Sequence, residues 1–379
     1  MKKKLLAVAV AAAIATLPAA YAVDFKAGNW DLSLGGNANA FYTATSCSGD
    51  TVAGTALGGK ALGCSGNSKS TTIGNGLLPQ QLNFGAKTNQ EGYDIAAVFG
   101  ISAAIATNSA IGNNNNVDVR NAYVTIGNNG MGTFKMGRDY GLVGANAIFN
   151  DMTLLGVGVA SRALQSGRIA PGHIGAGYGF AGMYGQMAYT APKFSNVTVD
   201  VALVNPVDPG NTAVADAGTQ VGTSAGVQMR ATYDAGQGVK VYASNKSQDF
   251  KTFRMNASEV GAIVGSGPFG LLVNYMTGNG LGILSDGDQG DIKSSHTFAQ
   301  VTYKATSKVK LGLGVGKSTN DKAYTGSDLK SNENTTAAVY YNLTPSFTVV
   351  GEVGETKSKG FAGTQAKQTN VSVGGVFFF

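Results

Sequence analysis

Through most of this chain, polar and apolar residues exchange places at every second position, and that period limits the fold more than any other feature. Leu32, Leu34, Gly36, Ala38, Ala40 and Tyr42 share one face, with Ser33, Asn37 and Asn39 on the other. Tyr93, Ile95, Ala97, Phe99, Ile101 and Ala103 repeat the pattern. Val227, Met229, Ala231 and Tyr233 alternate with Gln228, Arg230 and Thr232, and residues 309–316 alternate without a break. Segments of this kind number about sixteen, each bounded by turn residues.

The connections are of two sorts. Residues 191–196, 234–238, 265–268, 305–308 and 343–346 are short turns, whereas 205–222, 278–293 and 319–334 are long and polar; residues 113–116 form a further polar loop. Tyr189, Tyr233, Tyr303 and Tyr341 each stand one or two residues before a short turn. Amphipathic rings gathered at one height fit a membrane–water interface. In lipid every backbone polar group needs a partner, so strands that cross must close into a barrel. Short turns at one end and long loops at the other are the outer-membrane arrangement. A soluble sandwich would bury its apolar face and would not need so many Gly-rich polar positions opposite it. The expected fold is therefore an all-β, 16-stranded antiparallel transmembrane β-barrel.

Residues 1–22 read as a signal peptide: Lys2, Lys3 and Lys4, an apolar run to Leu17, then Ala20-Tyr21-Ala22 as the cleavage site. This leaves 23–379 as one barrel domain. Elsewhere no stretch nears the roughly 18 apolar residues of a spanning helix. Charged residues make up 13% of the sequence, and taking three leader lysines from 28 basic residues leaves 25 against 22 acidic. No basic run is interleaved with aromatics, so nucleic acid is not an expected partner. Cys47 and Cys64 share a Gly/Ser/Thr-rich loop, and in an exported protein they are expected to form a disulfide. Closing a loop of that size stabilises by about 3 kcal/mol in the chain-entropy model. No histidine or second cysteine pair lies near them, and neither a metal nor a cofactor is expected.

One stretch breaks the alternation. Val117 to Ile126 and Thr133 to Arg138 form a hairpin around Asn128-Asn129-Gly130. After Arg138 some forty residues lack period two, far beyond an ordinary loop. They are rich in Gly and carry Asp139, Asp151, Arg162 and Arg168. A segment like this must satisfy its backbone polar groups somewhere, and the inside of a water-filled tube is such a place.

The motif Arg120-Asn121-Ala122-Tyr123-Val124-Thr125-Ile126, followed by Met131 to Leu142, resembles the hairpin leading into loop 3 of the trimeric general porins of Gram-negative bacteria. The last strand, with Phe377 and terminal Phe379, is similar to their assembly signal. The resemblance implies a homotrimer in outer-membrane lipid, assembled by the barrel-assembly machinery, whose third loop folds inward and narrows the pore. It also implies passive diffusion of small hydrophilic solutes and ions. By the same resemblance, Arg120 matches a wall arginine and Asp151 a loop acid facing it. Gln81 stands where another arginine is common, and the second loop acid is missing after Asp151. Lys135 alternates with Phe134 and Met136 and should add positive charge to the constriction, and Arg138 stands at the root of the loop. Arg120 and Lys135 opposed mainly by Asp151 imply a mild preference for anions.

Two other functions compete. A sugar-selective channel would use lumen aromatics such as Tyr242 and Phe298 as a sliding track. An outer-membrane enzyme would need a nucleophile, a base and an orienting group. Only His173 and His296 could be the base, neither stands in a recognisable serine motif, and no catalytic residue is assigned.

Overall fold

The computed structural model describes residues 22–107, 117–165, 169–208 and 221–379. The expected leader up to Tyr21, the polar run 113–116, Arg168 and residues 209–220 lie outside these segments. The chain opens with β1 (Val23–Ala27) and β2 (Trp30–Gly49), then the helical turn α1 (Lys60–Cys64). β3 (Lys69–Gly74), β4 (Gln80–Gln90), β5 (Tyr93–Ala103), β6 (Val117–Asn128) and β7 (Gly132–Tyr140) follow. Between β7 and β8 (Met183–Thr190) run residues 141–182, here called loop 3, with helical turns α2 (Ala145–Asn150) and α3 (Arg162–Gln165). Next come β9 (Val197–Val204), β10 (Gly226–Gly236), β11 (Val239–Asp249), β12 (Arg254–Ser266) and β13 (Phe269–Asn279). β14 (Lys293–Lys304), β15 (Val309–Asn320), β16 (Leu329–Asn342), β17 (Phe347–Gly360) and β18 (Gln365–Phe378) complete the series.

Each strand from β4 onward pairs antiparallel with the next, and β2 pairs with both β4 and β18. The result is a closed 16-stranded ring. β3 takes the same edge of β2 as β4, farther along, and β1 takes the edge shared with β18. At the seam the Gly36 N–H donates to the Phe379 carbonyl and the Phe379 N–H to the Gly36 carbonyl. A closed ring leaves no strand edge in lipid.

Period two sorts the side chains as read from the sequence, and the sorting is inverted relative to a soluble protein. Met229 and Val371 are about half exposed, while their polar neighbours Gln228 and Ser372 are buried. At the short-turn end Tyr233, Tyr303 and Tyr341 are exposed, and Phe134–Tyr189 and Phe269–Tyr303 pack as tilted ring pairs with centroids 4.7 and 4.9 Å apart. Local chemistry fixes the turns there. Glu91 and Gly92 both have positive φ, as a two-residue hairpin requires, and the Asn128 side chain accepts from the Gly130 and Met131 N–H groups.

Cys47, at the end of β2, and Cys64, in α1, are joined by a disulfide. The loop they close turns into the barrel. The Leu57 N–H donates to Asn332, the Gly58 N–H to Ser358, and the Ser161 hydroxyl of loop 3 to the Leu62 carbonyl. Intact-mass analysis of unreduced protein should read about 2 Da below the reduced form. Cys47→Ser should leave the barrel folded, because no ring pairing passes through the bridge. A native protein with two free thiols would contradict this account.

Candidate functional site

The lumen-facing residues fall on two arcs of the wall. On the arc from β4 to β8, a hydrogen-bonded ladder crosses the strands. The Gln81 amide donates to Asn121, Asn121 donates to Asp139 at 2.7 Å, and the Lys135 ammonium sits 2.5 Å from the same carboxylate. Lys135 also lies over the Tyr123 ring. Arg120 reaches the lumen through an irregularity. Gly100 pairs with Asn121 and Ile101 with Val119, so Arg120 is an extra residue, a β-bulge. Before it, Val117 and Val119 face outward; after it, Asn121 and Thr125 face inward. The bulge changes the phase of β6 and brings Arg120 and Asn121 to the inside in succession. The Arg120 guanidinium lies 3.1 Å from Asp118, and that of Arg138 lies 4.0 Å from the same residue. Arg138 occupies the register of the exposed Phe134 and Met136 on β7, yet its side chain lines the same cavity as Arg120, Asp118 and the loop 3 residues Pro171 and Ile174.

Loop 3 lies against the other arc, from β10 through β18. Buried wall side chains meet its backbone one after another. Gln228 accepts from the Leu142 N–H, Glu259 from Gly144, and Gln300 from Met152. Glu352 accepts from both Val157 and Gly158, at 2.7 and 2.9 Å. Gln368 donates to the Ala160 carbonyl and Asn332 to that of Gly175. Between these bonds the apolar core forms. Met152, Val157 and Ala160 pack on Tyr340, Val350 and Phe378, while Ile148, Ile174 and Tyr178 pack on Leu272, Met276 and Phe298. The buried core of this barrel is thus the interface between loop 3 and the inside of the wall.

Three expectations change. Asp151 does not face Arg120. Its carboxylate is fully buried and is bonded to His173 Nδ1, the Tyr178 hydroxyl and the Thr153 N–H, all within loop 3. Burial opposes its charge, but His173 beside it, with these donors, holds it below the usual carboxylate range, while burial and the same carboxylate push Tyr178 up. The aromatics considered for a sugar track are not on the open face. Phe298 lies under loop 3 against His173, and Tyr242 is buried with its hydroxyl on Asn274. Finally, Arg120 and Lys135 are not bare charges, since Asp118 and Asp139 stand beside them. Arg162 opens α3. Among the described residues no cluster of His, Cys, Asp or Glu is arranged to hold a metal.

A family model described as Gram-negative porin matches residues 7–360. The chain belongs to that family. Family and barrel together make this porin an outer-membrane channel for small solutes. No curated protein matches it. Among solved structures it is similar to the outer membrane channel DcaP of Acinetobacter baumannii, at 14% identity and TM-score 0.67 over 94% of this chain and 99% of that one. It is similar to an anion-selective porin from Comamonas acidovorans, at 14% and 0.64 over 92% and 100%. It also resembles the trimer form of OmpT from Vibrio cholerae, at 13% and 0.56 over 92% and 99%.

The porin's loop docking has a sequence signal that alternation alone passes over. Facing inward, β15 carries Lys310, then Gly312, Gly314 and Gly316. A Cβ on Gly312 would strike the Met152 sulfur, on Gly314 it would come within 2.9 Å of the His173 ring, and on Gly316 it would meet the Ala176 carbonyl. Three glycines on one face of a strand let another backbone approach closely. Gly316→Val should therefore lift loop 3 without opening the ring. The folded variant should show altered single-channel conductance and faster proteolysis between residues 141 and 182. Wild-type conductance and protection would contradict the docking role.

Proposed function

We propose that solutes cross this porin by passive diffusion through water, between loop 3 and the arc from β4 to β8. The observation that carries the reading is the one-sided docking of loop 3. It fills the lumen along β10 to β18 and leaves Gln81, Arg120 and Lys135 on the arc opposite. The proposal takes the working unit to be a homotrimer, as the family resemblance implies. A mild preference for anions follows from two arginines, Arg120 and Arg138, near one carboxylate, Asp118. Because Arg120, Arg138 and Lys135 each have an acid close by, the preference is weak and fades as salt screens it.

The burial of both histidines argues against an enzyme. His173 is held by Asp151, and His296 lies between Ser318 and the Gly282 carbonyl. The Ser318 hydroxyl also accepts from the Gly177 N–H, so this Ser–His pair serves loop packing.

Reconstituted trimers should give stepwise, ohmic conductance without ATP or a proton gradient. In a salt gradient Arg120→Glu should move the zero-current potential toward cations. Folded wild-type trimers that do not conduct would overturn the channel reading. An unchanged potential in Arg120→Glu would remove Arg120 from the narrow part of the pore.

A further inference from the structure

At the short-turn end, beneath loop 3, lies a cavity of about 750 Å³. One side is basic. Lys308 comes from the turn between β14 and β15, Lys310 from the inward face of β15, and Lys304 stands close to Lys310. None of these three forms an ion pair with an acid among the described residues, in contrast to Arg120, Lys135, Arg230 and Lys246. The Lys310 ammonium lies 4.4 Å from the centroid of the Tyr340 ring. That contact positions the cation and leaves its charge uncompensated. Tyr340 is itself fixed, because its hydroxyl donates to the Met152 carbonyl. The one carboxylate residue on the lining, Asp151, has its oxygens engaged inside loop 3. Among neutral polar residues such as Asn150, Gln300 and Asn342, the lining also presents apolar Phe149, Leu154 and Leu155 from loop 3 and Phe378 from β18.

We propose that this inner vestibule binds small organic carboxylates that carry an apolar body, as a step in their passage through the pore. The carboxylate takes the ammonium of Lys310, with Lys308 at the entrance, and the hydrocarbon part lies on the Leu154–Leu155 shelf. A wet, open anion site of this kind binds weakly, which conduction requires, since a permeant solute must also leave. The inference rests on the channel reading above and names a solute class for it.

The test uses wild-type protein in planar bilayers, with benzoate added to a potassium chloride background and gluconate or glucose as comparison. Benzoate should reduce the chloride current in a saturable way. Gluconate, charged but without an apolar body, and glucose, without charge, should do so far less. Lys310→Gln should weaken the apparent benzoate affinity by about fivefold or more, roughly 1 kcal/mol. Lys308→Gln, in an exposed turn where folding is not at stake, should weaken it in the same direction. Lys193→Gln, on the short turn between β8 and β9, should leave it unchanged. Conducting wild-type channels that ignore benzoate, or respond equally to gluconate, would overturn the proposal while leaving the channel reading in place. Unchanged benzoate affinity in both Lys310→Gln and Lys308→Gln would also overturn it. A wild-type protein that does not conduct would remove both.

Discussion

The need to pair every backbone N–H and C=O in lipid governs this structure. An open sheet would leave two unsatisfied edges in hydrocarbon, at a cost of several kcal/mol for each unpaired group. The reciprocal Gly36–Phe379 bonds and the thirteen-residue register between β18 and β2, from Ala366↔Gly49 to Phe378↔Asn37, remove both edges. Once the ring is closed, period two has only one consistent outcome. Apolar residues meet lipid, and polar residues have only the interior. The interior must then be water or a polymer able to bond with them.

Loop 3 is that polymer on one side. Its irregular backbone needs partners, and the wall supplies carboxylates and carboxamides at spaced positions along several strands. Leaving a buried donor without its acceptor costs about 1–3 kcal/mol. Glu352, which accepts from two successive N–H groups, is therefore among the more consequential single residues in the docking. The buried Asp151–His173–Tyr178 cluster and the disulfide-closed loop beside α3 then hold the loop's own shape. On the proposed reading, docking along one arc, rather than across the middle, leaves a passage along the other.

Much of this was readable from the residues. Strand faces, turn lengths and the tyrosine girdle follow from period two, because each strand's outward face meets a uniform solvent. What alternation leaves open concerns places where a local pattern meets something distant. Arg120 lies in a bulge, and a bulge is defined by the neighbouring strand, so the sequence of β6 alone shows only a change of phase. Asp151 was placed by family resemblance, yet its partners His173 and Tyr178 lie 22 and 27 residues away on irregular chain, where no period orients them. Two signals were present and passed over. Lys135 and Asp139 are four apart on a strand, hence on one face and within reach. Gly312, Gly314 and Gly316 give β15 a bare inner face, a sign that another backbone lies against it.

Thiol accessibility tests the central claim most directly, because it separates the open arc from the covered one. In wild-type protein both cysteines are in the disulfide, so a single introduced cysteine is the only target for a charged, water-soluble thiol reagent. Gln81→Cys, on the open arc, should react during conduction and lower the current in discrete steps. Ser372→Cys, buried on the β18 wall, should stay unmodified while the channel conducts. If Ser372→Cys reacts as fast as Gln81→Cys, or Gln81→Cys reacts without changing the current, the passage does not run between loop 3 and the β4–β8 arc.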